Sequence, residues 1–405
     1  MSNTPLLEGL HVVDLASFIA GPAAATVLGD FGADVVKVEP PHVGDAYRSL
    51  SRIPPNPHAD GINYPWQLDN RNKRSIALDL KSPGARPVLE GLVRWADVLV
   101  TNFPPRTREK LGLEYDALVP LNPQLVYADV TGFGEAGPDA YLPGFDVTAY
   151  WARSGLMDLT RQRDVPPAMN AFGSGDHSTA ITLFAGIMTA LYRRERTGQG
   201  ARVTASLLAE GAWAASMWLQ AVLVGAKPPR PVDRSDPPNA LGNVYRTADD
   251  RWIVLVFVNE DKQLPLFLEA IGHPEAVENP RYADPPSRRA HAAEIVALLD
   301  KTFAARSLAE WREVLDTAGL TYGVVQTLEE CARDPQLLAN QVFVPIDDGS
   351  EEPHLTVDSP VRLDQERKVR PGPAPDLGEH TESVLHDLGF DAAGIKELRK
   401  AGAVA

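Results

Sequence analysis

The sequence predicts an α/β protein: a parallel β-sheet covered by helices on both faces, followed by a smaller α+β segment. Three observations lead there. Short β-branched apolar runs alternate with helical periods through the first 130 residues. These runs are almost continuously apolar, which marks strands buried on both faces. After a proline cluster at Pro228–Pro238 the texture changes to a hairpin followed by short helices, as expected beyond a domain boundary.

The elements follow in order. His11–Ala16 (HVVDLA) reads as the first strand, then Gly21-Pro22 and an alanine-rich helix, then Asp34–Glu39 (DVVKVE) as the second. Ser75–Leu80 is the third, followed by a helix with Pro83 in its first turn and an apolar face of Val88, Leu89, Leu92 and Val93. Asp97–Val100 and Leu125–Val130 continue the alternation, which implies βαβ units. From Asp176 the residues Ala180, Leu183, Phe184, Ile187 and Leu191 keep a helical period. Arg193, Arg194 and Arg196 then place cations in the last turn, with Gly198 beyond it. Arg202–Ser206 is another short strand, and Ser206–Gly225 reads as a buried helix. Val244–Thr247 and Trp252–Val258 are expected to pair antiparallel around Asp249-Asp250, with short helices up to about Leu320. Two more helices, Glu379–Leu388 and Asp391–Ala401, close the chain. Open sheets bind ligands outside the carboxyl ends of their strands, here Ser17–Gly21, Glu39-Pro40, Lys81, Asn102-Phe103 and Thr131–Gly134.

Composition narrows the function. The 405 residues suggest two or three domains at about 100–200 residues each. With 39 Lys+Arg against 54 Asp+Glu the net charge is −15, which argues against nucleic acid and anionic lipid as partners. The single cysteine, Cys331, excludes an internal disulfide and a cysteine-based metal centre. None of the nine histidines pairs as H-x-x-x-H, so no metal site is expected. No apolar run reaches membrane-spanning length. The opening MSNTPLLEGL has no basic region followed by an apolar one, so a cytoplasmic protein is expected.

Several motifs carry chemistry. Gly132-Phe133-Gly134-Glu135-Ala136-Gly137 is a literal G-x-G-x-x-G after a strand, with Asp158 downstream. A dinucleotide site also needs a helix opening at those glycines, but Pro138 follows at once. A glycine loop passing close to a ligand chain fits better than a nicotinamide site. Gly173-Ser174-Gly175 lacks the spacing of a hydrolase nucleophile elbow. Asp176 opens a long helix, as an N-cap aspartate contributing about 1 kcal/mol would. The same position suits a nucleophile, since the helix dipole and amides would keep the carboxylate ionised. A carboxylate attacks a carbonyl without a general base.

Taken together, LASFIAGPAAATVLGDFGADVVKVEPP, NRNKRSIALDLKSPGARPVLEGLV, ADVLVTNFPP, VYADVTGFGEAGP, PGFDVTA, GSGDHSTA and RRERTGQGARVTASL resemble, in order and spacing, the class III CoA-transferases. The match is dense over the first 220 residues. The resemblance implies a Rossmann-like, discontinuous large domain (residues 1–225 and 323–405), a small α+β domain (residues 226–322) and an interlocked homodimer. It implies no tightly bound cofactor; a coenzyme A thioester and a carboxylic acid are the substrates. Asp176 falls on the nucleophile. Coenzyme A contacts fall on Ile19 and Ala20, on Leu78, Asp79, Leu80 and Lys81, on Asn102, Phe103 and Pro104, on Lys110, and on Val130, Thr131, Gly132 and Phe133. Gly175, His177, Gly242 and Phe145 are assigned to the oxyanion and acyl region.

Departures select among branches. Pro40 and Thr131 stand where the formyl-CoA enzyme has cations, and Asn239–Asn243 keeps only Gly242 of its glycine-rich loop. This argues against oxalate or formate. Racemisation of an acyl-CoA needs a base and an acid, and Phe145 occupies the racemase histidine position. That alternative would have to use Asp176 with another group such as Glu260. A nicotinamide-dependent dehydrogenase and a non-catalytic CoA-binding protein are the other rivals. Few cations but several aromatics, Phe133, Phe145, Tyr150 and Trp151, lie near the acyl region. They favour a partly apolar acid over a small dianion, although they could equally belong to the core.

Overall fold

In the computed structural model, which describes residues 4–54, 56–59, 61–228 and 230–405, six strands form one all-parallel sheet. They are β1 (His11–Asp14), β2 (Asp34–Glu39), β3 (Lys73–Ala77), β4 (Val98–Thr101), β5 (Val126–Thr131) and β6 (Ala201–Ser206). The order is β3-β2-β1-β4-β5-β6, the strand order of dinucleotide-binding sheets, whose topological switch lies between β1 and β4. Each expected strand of this sheet forms, β2 with the expected ends and the others with ends shifted by at most three residues.

Side chains alternate across the sheet. Val13, Val36, Val38, Ile76, Leu99 and Tyr127 pack on one face against the helix at Arg86–Trp95 and the helices Thr381–Asp387 and Ala392–Lys400. On the other face Val12, Val35, Val98, Val100, Val126 and Ala128 meet α1 (Ala20–Asp30) and the long helix at Ser174–Thr197. The composition of α1, AGPAAATVLGD, explains its complete burial. Small side chains let it lie flat between the sheet and the long helix, and a larger residue would push the layers apart.

The chain clusters into two compact units. One holds the residues up to Met157, Met169–Ala226 and Leu338–Ala405; the other holds Asp158–Ala168 and Lys227–Leu337. The second unit has an antiparallel sheet of β7 (Val244–Arg246), β8 (Trp252–Leu255) and β9 (Tyr322–Val324). Its own core is built on Tyr245, Phe267, Phe303 and Trp311. The expected hairpin is present, with Asp250 at φ 58° in its turn, though β8 stops at Leu255. Two allocations differ from the sequence reading: Asp158–Ala168 clusters with the second unit, and that unit runs on to Leu337.

A further expectation is corrected. Ser206–Gly225 is not one buried helix but two, α8 (Leu207–Ala214) and α9 (Ser216–Leu223) in a chain whose other early helices are α2 (Tyr64–Asn70), α3 (Arg86–Trp95), α4 (Pro105–Leu111), α5 (Tyr115–Leu118), α6 (Leu156–Leu159) and α7 (Ser174–Thr197). Trp213, Met217, Trp218, Val222 and Leu223 are exposed. Apolar composition reports removal from water, and cannot tell a core from a face covered by another chain.

Candidate active site at the amino end of α7

The amino end of α7 is set by a carboxylate distant in sequence. Gly173, at φ 83°, is the N-cap residue and has no side chain with which to cap. Asp146, at the head of a π-helical segment spanning Asp146–Ala152, accepts from the amides of Gly173 (2.8 Å) and Gly175 (3.0 Å). These are the donors that a helix start leaves without intrahelical partners. Position 175 must be glycine, because a Cβ there would lie 2.3 Å from Asp146 Oδ1 and 2.3 Å from Tyr150 Cγ.

Asp176 therefore occupies the first turn but is not the cap. Nor do the helix dipole and amides keep it fully ionised, as the sequence suggested. Burial and the neighbouring Asp146 carboxylate push its pKa up to about 7, with Asp69 adding to the rise and His177 opposing it. The Gly175 amide, expected to face a developing oxyanion, is donated to Asp146 instead. The Asp146 pKa is itself raised by burial, against the lowering effect of the two amides.

His177 is the second group the sequence placed here. Its Nε2 lies 3.0 Å from Asp69 Oδ1 at the end of α2, and the Asp69 Oδ2 accepts from Tyr47 Oη at 2.7 Å. Burial alone would lower the His177 pKa, but Asp69 overrides it and the net shift is upward. A cavity of about 470 Å³ adjoins this pair, walled by Ala23, Val27, Leu68 and Ile181.

Beneath the pair lies a buried charge cluster. Lys73 Nζ donates to Asp14 (2.9 Å) and to the Asp69 carbonyl (2.7 Å), and Lys37 pairs with Asp45 at 2.9 Å. Burial disfavours the Asp14 carboxylate, yet the two lysines hold its pKa below the usual range. The cluster is tied to the loop after β1, where Lys37 donates to the Ala16 carbonyl and Asp45 accepts from the Phe18 amide. Phe18, at φ 61°, points outward to meet Phe145 edge-to-face, their centroids 6.4 Å apart.

The expected coenzyme A stretches mostly lie at the carboxyl edge of the sheet. Ile19 caps α1, and its Cδ1 packs within 3.1 Å of where a Gly173 Cβ would stand; Ala20 follows it, buried. At the topological switch, Asn102 accepts from the Ser17 amide (2.9 Å) and donates to its carbonyl (2.6 Å). Phe103 is half-buried and Pro104 exposed beside it. Asp79 Oδ1 accepts from the amide of Lys81, whose side chain is exposed, and Leu80 is half-buried. Leu78 differs: its side chain is in the core, and its amide donates to the Glu39 carbonyl. Lys110 is exposed in the last turn of α4. Val130 is in the core, and Thr131 Oγ1 accepts from the Gly134 amide.

The glycine loop has a structural explanation. A Cβ on Gly132 would lie 2.5 Å from the Gly144 Cα, so two backbones pass there rather than backbone and ligand. No helix opens at Gly134 or Gly137, which removes the dinucleotide context. Glu135 is gripped by Arg108 and Arg202, and both arginines also bond Asp129. These cations are thereby committed to carboxylates. Of the four aromatics assigned near the acyl region only Phe145 is exposed; Phe133, Tyr150 and Trp151 pack with Ala149 and Leu207.

Gly242 lies in the second unit, where its amide donates to the Asn239 carbonyl. In that unit Glu260 accepts from Asn239 Nδ2 (3.0 Å) and Arg288 Nε (2.8 Å), so both its oxygens are engaged. This is a poor start for the base that a racemase would require. Among the described residues no group of His, Cys, Asp and Glu is arranged to hold a metal, and no helix is long and apolar enough to cross a membrane.

Sequence reasoning gave no role to Asp69, Tyr47, Asp146 and Arg108, and reached Phe18 only as part of the strand end Ser17–Gly21. One signal was present: Asp14, Lys37 and Lys73 sit in or beside otherwise apolar strands, and a buried charge demands a partner.

The chain matches the family described as CoA-transferase family III over residues 7–381. It is 34% identical over 394 residues to the (R)-2-hydroxy-4-methylpentanoate CoA-transferase of Clostridioides difficile, covering 97% of this chain and 98% of that protein. To the cinnamoyl-CoA:phenyllactate CoA-transferase of Clostridium sporogenes it is 31% identical, covering 98% and 97%. The crystal structure of a CaiB/BaiF family protein from Brucella suis superposes with a TM-score of 0.84 at 29% identity, covering 95% of this chain and 100% of that one. With a parallel α/β fold, a carboxylate at a helix start and these similarities, the chain belongs to CoA-transferase family III and is an enzyme that transfers coenzyme A between carboxylic acids.

Proposed function

We propose that the protein is an acyl-CoA:carboxylate CoA-transferase in which Asp176 is the covalent nucleophile. The observation that carries this reading is the Asp176 carboxylate itself, half-buried in the first turn of α7 with its pKa pushed up to about 7. A carboxylate partly stripped of water is a better nucleophile than a solvated one. An Asp176 oxygen attacks the thioester carbonyl carbon; the C–S bond breaks, leaving an acyl-aspartyl anhydride and CoA thiolate. The thiolate attacks Cγ of Asp176, the anhydride C–O bond breaks, and the first acid departs as a carboxylate. The second acid's carboxylate then attacks the aspartyl-CoA thioester, expelling thiolate and forming a new anhydride. Thiolate attack on the new acyl carbon gives the second acyl-CoA and restores Asp176. Holding CoA throughout keeps each exchange intramolecular.

CoA lies along the carboxyl edge of the sheet, with Asp79–Lys81, Asn102–Pro104, Lys110 and Thr131–Phe133 as its contacts. Lys81 and Lys110 supply charge to its phosphates, since Arg108 and Arg202 are held by Asp129 and Glu135. The acid partners are medium-sized and partly apolar. The exposed Phe18–Phe145 pair, adjacent in sequence to Ile19 and Asp146, supports this. So do the two named relatives, one acting with (R)-2-hydroxy-4-methylpentanoate and the other with phenyllactate. The working form is an interlocked homodimer in the cytoplasm; the exposed Trp213, Met217 and Leu223 supply apolar surface for a second copy.

A matrix of acyl-CoA donors against carboxylic acids, read by mass spectrometry, tests the reading. Branched or aryl acids should accept CoA faster than oxalate or formate, with no turnover by Asp176→Ala. Exchange of solvent deuterium at the α-carbon without an acceptor would favour the racemase instead.

A further inference from the structure

Around the amino end of α7 three acids crowd one imidazole. Asp176 and Asp146 belong to the α7 start and its cap, and Asp69 faces them from α2. The nearby lysines are already engaged, Lys73 with Asp14 and Lys37 with Asp45 and Asp14. Arg71, which borders the same cavity, is paired with Asp30 through both its Nε and Nη2. Asp358, which also lines that cavity, is paired with Lys368 at 3.0 Å. His177, whose own partner is Asp69, is the basic group that sits next to Asp176 in the chain.

The position of His177 is fixed from outside its own helix. Asp69 is buried and held by three elements: Tyr47 donates to its carboxylate, while Thr26 and Lys73 donate to its carbonyl. Its remaining oxygen, Oδ1, faces His177 Nε2 at 3.0 Å. A carboxylate so anchored orients the ring and favours the imidazolium.

Resting on Asp176 as the nucleophile, we infer that His177, held against Asp69 and Tyr47, is the positioning residue that supplies the counter-charge keeping Asp176 a carboxylate. The pair acts through Asp176 and transfers no proton in the reaction. When the imidazolium is lost, Asp176 faces Asp146 and Asp69 alone, and repulsion returns a proton to it. The acid limb of the rate profile should report this, because only the charged form of Asp176 attacks.

The test is the pH dependence of kcat/KM for CoA transfer in the full-length enzyme, with cinnamoyl-CoA as donor and phenyllactate as acceptor. His177→Gln removes the charge and keeps a side-chain amide to meet Asp69; His177→Asn does the same with a shorter side chain. Both should move the acid limb to higher pH by about one unit, so that activity falls about tenfold below the limb and approaches that of the wild type near pH 9. A merely structural tie between α2 and α7 would lower activity equally at every pH, and that result, or an unmoved limb, overturns the inference. Should Asp176→Ala retain turnover, the nucleophile reading itself fails. An inactive Asp176→Ala with an unmoved His177→Gln limb refutes the His177 role alone. If His177→Gln does not fold, the His177→Asn limb decides by the same criterion.

Discussion

Asp146 closes the helix that carries Asp176: its two carboxylate oxygens accept the amides of Gly173 and Gly175 at 2.8 and 3.0 Å. One side chain thereby does two opposed things. It stabilises the helix start, and it places a negative charge beside the nucleophile, raising the Asp176 pKa. Asp146→Asn should separate these effects. An amide oxygen can still accept one amide hydrogen, so stability should fall by about 1 kcal/mol in denaturant titration. With the charge gone, the acid limb of kcat/KM should shift to lower pH, opposite to His177→Gln.

The close fit at Gly175 gives a steric expectation. Alanine there would force its Cβ into Asp146 and Tyr150, both buried. Gly175→Ala should destabilise the fold by about 1–3 kcal/mol or more and abolish transfer, because the turn bearing Asp176 must move. Circular dichroism during urea unfolding, beside an activity assay, checks both.

Asp176 also carries a stability signature. Its pKa lies near 7 in the fold, above the ordinary 3.8. The folded state therefore holds the proton over pH 4–7 while the unfolded chain releases it, and stability falls as pH rises through that window. Asp176→Asn removes the dependence. It should be more stable than wild type by roughly 1–3 kcal/mol at pH 8 and no more stable at pH 4. Urea midpoints at the two pH values decide this.

Lys37 is fully buried with Asp45 at 2.9 Å and Asp14 at 3.7 Å. Lys37→Met would leave Asp45 without its cation, at a cost of about 3–5 kcal/mol. Because the loop Ala16–Phe18 is anchored to the same cluster, affinity for CoA should fall as well, measurable by calorimetry.

The exposed face of α8 and α9 should be an interface between two copies of the chain. In the proposed interlocked homodimer two copies cannot part while folded, so Trp213→Glu with Leu223→Glu should lower the urea midpoint of the dimer seen by light scattering. An unchanged midpoint would place the interface elsewhere.

The sheet was legible in the sequence because each strand is a β-branched run bounded by breakers, and all six formed near where they were expected. The helix that starts beside Asp176 and His177, and the placing of most strand-end stretches at the carboxyl edge of the sheet, were legible too. Asp69, Tyr47 and Asp146 were not. Each acts across long sequence distances, Asp69 on His177 and Asp146 on Gly175, and nothing in a local pattern announces such a pairing. The exposure of Trp213 and Leu223 was misread for a related reason: a run of apolar residues says that water is excluded, but not by what.

The most direct test of the account is to find the covalent intermediate. The enzyme is incubated with cinnamoyl-CoA, quenched with hydroxylamine or borohydride, digested and mapped by mass spectrometry. The account requires a hydroxamate or a reduced side chain at Asp176 and nowhere else, formed only when acyl-CoA is present. An unmodified Asp176 peptide in enzyme that is still turning over, together with turnover by Asp176→Ala, would contradict it.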